Sequence, residues 1–405
     1  MAGLTISSID GDLKVMYDDM VQELNNLNPG IYKRFKKLDR YRGTGSGYYF
    51  ATRMKGNQRL GAAAEAGAIV SAGSSTWIKG YVVCVYNYRP FQTTGPAVAR
   101  AKNGGGFVTD VLTDDIALGE KELTRYLNEQ AVRSGDGVIT QANGAGTTST
   151  SLTVDSTRQL HENMQIEAYA STVEQFGQTT AVAISNINRN TKVVTLAAAK
   201  SWDDNSNIYR YNQYNSGTPL ETNGLRNLVD DSTSASVENI DPATYLQWTS
   251  YHDSSGGQVT RMRLAKAINF VEIFTNKAID EIWCNGATRN NIFMMVQPGI
   301  EFTEPKNLEL MYDPKDDPLR FMGRVFPVDE CIYDGDIFGL TWETLGKIVE
   351  KPMDVGSVIP GMGNTLLRDA GYDSGTGFIS VYEQLVCLDR RANFKFTDLT
   401  TDYTF

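Results

Sequence analysis

The groupings in this 405-residue sequence that could carry chemistry are few, and each breaks at a residue its chemistry requires. Gly43-Thr44-Gly45-Ser46-Gly47 has the glycine density of a dinucleotide-binding turn. It runs straight into Tyr48-Tyr49-Phe50, so the third glycine is absent, and no buried strand precedes it; a glycine-supplied turn is the better reading. Gly56-Asn57-Gln58-Arg59-Leu60-Gly61 has phosphate-loop spacing, but Ala62-Ala63 stand where the phosphate-reaching lysine and the magnesium-holding hydroxyl belong. The carboxylates of Tyr312–Pro318 and of Asp334-Gly335-Asp336 could offer hard oxygens to a cation. Neither keeps a calcium-loop register, and turn formation is the commoner use of Asp. His161 and His252 lie in unrelated segments, which leaves no nucleophile–base arrangement and no paired-histidine zinc site to assemble. A carboxylate pair for glycoside hydrolysis stays open, because its separation is a three-dimensional fact. No catalytic, cofactor-binding or metal-binding residue is assigned.

Composition narrows the partners. The hydrophobic share is 41%, enough for a core, and the length suggests two to three domains. A net charge of −10 argues against gripping phosphate backbones, which takes clustered Lys and Arg. It suits a protein that stands beside DNA without adhering to it. Cys84, Cys284, Cys331 and Cys387 are far apart and form no C-x-x-C pair, so a reducing compartment is the default. The first ten residues lack a basic region followed by an apolar run, and no stretch reaches the 18 apolar residues of a membrane helix. A soluble, cytoplasmically made protein with no membrane partner is expected.

The elements that would position any site come next. Leu13, Met16, Tyr17, Met20, Val21, Leu24 and Leu27 recur on one face of a helix over 10–28, stopped by Asn28-Pro29-Gly30. It packs either on its own domain or as an arm against a neighbour. The basic stretch Lys33 to Arg42, interleaved with Tyr32, Phe35 and Tyr41, could follow a nucleic-acid backbone. A solvated connector meeting acidic groups is the reading preferred here. A strand over Tyr48–Lys55, a small-residue stretch over Leu60–Val70 and a returning strand over Trp77–Tyr86 make a long hairpin with few bulky residues at its tip. Such a hairpin is marginal in water and needs a surface to lie on. Asn103–Gly106 marks a corner, and an amphipathic helix spans 113–134 with Ile116, Leu123, Leu127 and Ala131 on one face.

Beyond Gly135 the composition shifts. Residues 138–215 are rich in Ser, Thr, Asn and Gln and show short alternating runs, among them Ser151–Val154, Met164–Glu167, Ala181–Ile184, Val193–Leu196 and Ile208–Tyr211. These predict a small antiparallel barrel or sandwich. A helix follows over Val259–Thr275, a strand over Asp280–Cys284 and a helix near Arg289–Val296. A long exposed loop is expected over Gly356–Gly377, then strands over Phe378–Leu388 and Ala392–Leu399. Helix–strand alternation of this kind indicates an α+β domain.

The order of hairpin, long helix and mixed domain resembles the major capsid protein of tailed bacteriophages, in the Hong Kong 97-like fold. Gly224–Asp231, Tyr245–Trp248, Arg320–Asp329 and Asp334–Leu340 carry the same resemblance. It rests on the order of elements over most of the chain outside 138–215, with no invariant motif. The resemblance implies an N-terminal arm (1–43), an extended loop with return strands (44–111), a spine helix of the peripheral domain (112–137), an inserted β-domain (138–215), an axial domain with part of the peripheral domain (216–377) and closing peripheral strands (378–405). It implies no enzymatic activity and no cofactor.

The implied function is self-assembly of pentamers and hexamers into an icosahedral virion shell, built in the host cytoplasm and enclosing double-stranded DNA without reading its sequence. Arg53, Lys55, Arg59, Trp77 and Lys79 of the extended loop would contact a neighbouring subunit, and Leu13, Met16, Tyr17, Met20 and Leu24 would pack the arm. A portal protein and a separate scaffolding protein are implied partners, with a decoration protein as a further candidate. The helix begins within ten residues of Met1, so no scaffolding segment is expected ahead of it. Lys55 and Lys79 could donate to a cross-link, but no residue identifies the acceptor or the acid, so a non-covalent shell is expected. Two rival readings are an encapsulin-like nanocompartment shell and a β-rich hydrolase or adhesin with a carbohydrate-binding insert.

Overall fold

The computed structural model describes residues 30–38, 47–94, 111–176, 181–215, 218–296, 319–356, 367–369 and 371–401. The expected helix over 10–28, with Leu13, Met16, Tyr17, Met20 and Leu24, lies outside them, as do the 103–106 corner and the 312–318 carboxylates. Contacts divide the chain into two units, one of 1–28, 88–124 and 353–380, the other of 29–87, 125–352 and 381–405. The architecture is α+β, strand-rich with few helices among the described residues. No described helix is long and apolar enough to cross a membrane.

In chain order the first elements are β1 (Lys36–Lys37), β2 (Tyr48–Lys55), β3 (Thr76–Val82), β4 (Val85–Thr94) and helix α1 (Val111–Val132). β2 and β3 form an antiparallel hairpin, Tyr48 opposite Val82 and Arg53 opposite Trp77. The single returning strand expected over 77–86 is in fact two strands. Among the described strands β3 pairs with β2, whereas β4 pairs with a late strand of another sheet, so the chain changes sheets at Val83-Cys84.

Next come β5 (Val138–Gln141), β6 (Gly146–Thr153), β7 (Gln165–Ala170), β8 (Val173–Glu174), β9 (Val182–Asn188), β10 (Val193–Trp202) and β11 (Asn207–Arg210). They form one seven-stranded sheet, ordered β5-β11-β7-β9-β10-β6 with β8 on β7. Alternation drives it: Val194 and Leu196 of β10 are buried on either side of exposed Thr195. Together with Leu152, Ile166, Ile184 and Ile208 they fill a dedicated core. Full burial of each such side chain contributes about 1.5–3 kcal/mol. The Asn188 side chain accepts from Thr191 N at 3.2 Å and shapes the β9–β10 turn.

After β12 (Tyr214–Asn215) and β13 (Thr218–Pro219) come the one-turn helix α2 (Leu225–Leu228), β14 (Tyr251–Asp253), helix α3 (Arg261–Thr275), β15 (Glu281–Cys284) and helix α4 (Gly286–Val296). Then follow β16 (Arg320–Phe321), β17 (Arg324–Val325), β18 (Ile337–Leu340), β19 (Leu345–Val355), β20 (Leu367–Arg368), β21 (Ser374–Cys387) and β22 (Phe394–Phe396). A six-stranded sheet runs β14-β22-β18-β15-β17-β16. α3 starts where Thr260 caps Arg263 N at 3.2 Å and stops at Asn276, whose φ of 54° is left-handed. Its Leu264, Ile268 and Val271 share a core with Ile282, Ile337 and Phe396. The Phe394 ring lies over Gly339, where any Cβ would fall 2.0 Å from it.

Another sheet runs β1-β19-β21-β20, with β4 on β21. Leu367 and Arg368 pair with Thr376 and Gly375, so the long exposed loop expected over 356–377 is interrupted by strand. Asp369 makes this turn by accepting from the hydroxyls of Ser374 and Thr376. In the same unit Gln92 Nε2 donates to Asp369 at 2.8 Å and Arg89 pairs with Glu122 at 3.2 Å.

The basic connector is also more than solvated. Tyr32 and Phe35 are buried; Tyr32 OH donates to Glu383 at 2.6 Å and accepts from Lys347 Nζ at 2.7 Å. Arg34 pairs with Glu281, while Lys33, Lys36 and Lys37 are exposed.

The junction between α1 and the segment after β13 is tight. A Cβ on Gly224 would lie 2.3 Å from the carbonyl oxygens of Gln130 and Arg133, backbone atoms that cannot turn aside. Gly224→Ala should therefore lower stability by about 1–3 kcal/mol. A denaturant midpoint unchanged from wild type would show that this junction yields.

Candidate intersubunit surface and its anchorage

The hairpin β2–β3 has one anchored face and one free face. Phe50, Met54 and Val82 point down and join Cys84, Ile240, Trp248, Ile348 and Val386 in a buried cluster. Gly80 makes the root possible, because the Phe50 ring occupies the space its Cβ would need. The opposite face carries Tyr49, Arg53, Lys55, Trp77 and Lys79, all exposed. Arg53 stands across from Trp77, Lys79 from Ala51 and Lys55 from Thr76. Trp77 leaves 62% of its surface in water, a large apolar exposure for one side chain.

Beyond the strands, residues 57–74 are exposed without interruption. Leu60 and Ile69 are 82% and 88% exposed. The two legs are tied across their base. Arg59 Nη1 donates to Ser71 Oγ at 2.8 Å and to the Ala72 carbonyl at 3.3 Å. Asn57 Nδ2 donates to the Gly73 carbonyl at 3.1 Å. Thus all five expected contact residues lie on the hairpin, but Arg59 already serves the shape of its own loop.

A second feature escaped sequence reasoning: a buried charge hub at the end of α1. Glu129 accepts from His161 Nε2 at 2.6 Å and lies 3.4–3.5 Å from Arg125, Arg133 and Arg210. Arg133 is fully buried and pairs with Glu221 at 2.6 Å, while its Nε donates to Gln159 at 2.6 Å. Burial opposes the charge on Glu129, but the His161 hydrogen bond with Arg210 and Arg133 outweighs it and lowers the carboxyl to about 2. Arg158 reaches Glu330 and Asp334 at 2.6–2.7 Å, and Gln159 Nε2 donates to the Cys331 carbonyl at 2.7 Å. The seven-stranded sheet is thereby bolted to α1 and to the 329–336 loop by charge. Helical spacing of Arg125, Glu129 and Arg133 was a visible cue, because i,i+4 places them on one face. Their partners in 158–221 are remote in sequence.

The arrangement offers little catalytic chemistry. Burial pushes the Cys84 thiol up to about 11 and the Cys284 thiol up to about 12, and raises Cys331 and Cys387 well above the usual range. None of these thiols is a ready nucleophile near neutral pH. Asp230, Asp231 and His252 present their donor atoms within 4.8 Å of one another. Lys395 Nζ sits 2.8 Å from Asp230, so this group already holds its own cation. Asp334 and Asp336 are taken by Arg158 and Arg226, as turn and ion-pair residues.

No family model matches the chain and no curated protein matches it. Solved structures do. Over 98% of this chain it is similar to the cyanophage A-1(L) capsid asymmetric unit, with 12% identity, all of that chain covered and a TM-score of 0.59. The capsid of a native GTA particle gives 9% identity, 98% and 100% coverage and a TM-score of 0.54. A chain from Mycobacterium phage Bobi gives 9% identity, 98% and 99% coverage and a TM-score of 0.50. This chain therefore has the fold of phage capsid proteins.

Removing one member of the hub leaves a buried charge uncompensated, which costs about 3–5 kcal/mol. Arg133→Met should lose stability on that scale by denaturant titration. The folded carboxyl of Glu129 lies below its unfolded value, so its contribution is present above about pH 4.5 and lost as pH falls toward 2. Glu129→Gln should flatten that stretch of the stability profile. An Arg133→Met protein as stable as wild type would remove the hub from the account.

Proposed function

We propose that this chain is a capsid shell protein whose copies associate into a closed, symmetric, non-enzymatic shell. The observation that carries the reading is the hairpin: 18 consecutive residues, 57–74, stand in water beyond a root that is firmly packed. A neighbouring copy is the surface such an element fits, and the fold is that of phage capsid proteins. Charge supports it. Arg53, Lys55, Arg59 and Lys79 against Glu65 alone leave residues 48–82 with three net positive charges, in a chain of net −10. The remainder carries −13, opposite in sign to the hairpin of the next copy. Each exposed pair contributes only ~0–1 kcal/mol, and repetition over a shell multiplies it.

In its finer form the reading is a Hong Kong 97-like major capsid protein of a tailed phage, in pentamers and hexamers around packaged DNA. A portal and a separate scaffolding protein are its partners, and a decoration protein is a further one. Residues 138–215 are then an inserted module projecting outward, and 1–43 an arm with Leu13, Met16, Tyr17, Met20 and Leu24 inward. The separate core of the seven-stranded sheet supports the module.

Deletion of 57–75 should give a folded subunit with near wild-type melting and no closed particles by negative-stain microscopy. Normal heads from that variant would end the clamp assignment. Replacing 139–214 with a Gly/Ser linker should leave the rest of the chain folded but less stable, as Glu129 and Arg133 trade His161, Arg210 and Gln159 for water. Failure of that truncated chain to fold would make 138–215 part of the common core.

A further inference from the structure

The root of the hairpin contains an acid that the interface reading does not use. Glu238 sits in a tight turn closed by Val237 and Ile240, and its φ of 55° and the 62° of Asn239 are both left-handed. Two hydrogen bonds leave this residue in different directions. Its carbonyl accepts from Tyr81 N of β3 at 2.9 Å. Its Oε1 accepts from Cys387 N, at the end of β21, at 2.7 Å. The same turn receives Trp248 Nε1 on the Val237 carbonyl at 3.2 Å, and Trp248 packs against Phe50 of β2.

The carboxyl group itself is poorly matched to a negative charge. Its Oε2 is buried and has no hydrogen-bond partner. The groups that act on it are the Cys387 N–H and Arg390. Arg390 spends its guanidinium on the carbonyls of Leu228, Trp248, Asn227 and Asp230. The Cys387 thiol, raised well above its ordinary value by burial, is neutral across the same range and adds no charge of its own. A buried carboxylate with one donor and no paired cation is costly, so the neutral acid is the form this site accommodates.

We propose that Glu238 is a protonation-controlled latch on the hairpin: as a neutral acid it leaves closed the turn that holds β3 and the end of β21, and its ionisation, which buries a charge without a paired cation, opens that turn and so frees both. Burial raises the carboxyl to about 8, ahead of the lowering by the Cys387 N–H and by Arg390. The sign follows. The folded value lies above the unfolded one, so the contribution to stability is complete below about pH 4.5 and declines as pH rises to about 8. The folded protein changes charge at the upper end, and there the carboxylate draws water and the turn opens. The exposed part of the hairpin would then swing on a loosened root while Phe50 and Val82 still hold it, a change of angle rather than of fold.

The test is hydrogen exchange by mass spectrometry on the full chain, with rates corrected for their intrinsic pH dependence. Peptides covering 76–84 and 381–388 should lose at least several-fold protection between pH 7 and pH 9. Peptides from the β9–β10 hairpin should not. Glu238→Gln, which keeps an acceptor for Cys387 N but cannot ionise, should hold its protection over the whole range, and Cys387→Ser should behave as wild type. Should the Gln variant fail to fold, Trp248 fluorescence of wild type reads the same event and should titrate with a midpoint near pH 8. Equal loss of protection in wild type and Glu238→Gln, loss of the titration in Cys387→Ser, or a wild type unchanged between pH 7 and 9 would each overturn the latch.

Discussion

A hairpin of two strands has two faces and can bury only one of them on its own chain. That constraint organises this molecule. Phe50, Met54 and Val82 take the buried face and are met by Trp248, Ile348 and Val386 from three distant parts of the sequence. The root is therefore expensive to build, drawing on residues 166–336 positions away, and a merely decorative loop would not need it. Its free face alternates cation and ring, Arg53 beside Trp77 and Tyr49 beside Tyr81, whose ring centroids are 4.8 Å apart. With the root ordered in advance, little would remain to be ordered if the free face met a partner.

The same logic applies to the charge hub. Desolvating Arg133, Glu129 and Glu221 costs several kcal/mol per ion, and the pairs regain much of it only while every member is present. Such a hub is a weak source of net stability but a strict specifier of geometry. It fixes where the seven-stranded sheet joins α1, since a slip would strand a charge in the interior. Apolar packing alone would tolerate small rotations of a module with its own core. In a shell, where an angular error at one subunit is repeated at every copy, a charge-locked joint is the more exacting device.

Much of the local structure was legible in the sequence because local rules decided it. The helices over 113–134 and 259–275 came within two residues of the observed Val111–Val132 and Arg261–Thr275, as apolar periodicity and the Thr260 and Asn276 caps act within a few residues. The alternating runs of 138–215 gave strands for the same reason. What failed needed distant partners. The run over 77–86 reads as one strand because both halves are β-prone, but β3 and β4 serve different sheets, and pairing is not written in either half. Leu367 and Arg368 looked like loop among glycines until Thr376 and Gly375 paired with them. Tyr32 and Phe35 read as part of a solvated connector, and Glu383 and Trp342, more than 300 residues on, make them anchors.

The candidate surface was legible in outline and its supports were not. Exposure of Arg53, Lys55, Trp77 and Lys79 follows from period two in the strands, whereas their choice as contact residues came from the resemblance. Arg59 could not be judged that way, because its bonds to Ser71 and Ala72 depend on how the two legs close. Glu238 lay further from view. Nothing in Ser236-Val237-Glu238-Asn239-Ile240 announces a buried acid; a glutamate beside an asparagine reads as an exposed turn. The turn is left-handed at Glu238 and Asn239, and the Glu238 Oε2 is buried although the residue as a whole is only half-buried. Residue-level exposure and carboxyl-level burial thus diverge at one position, and it is the carboxyl, one hydrogen bond from β21, that bears on how firmly the hairpin is held.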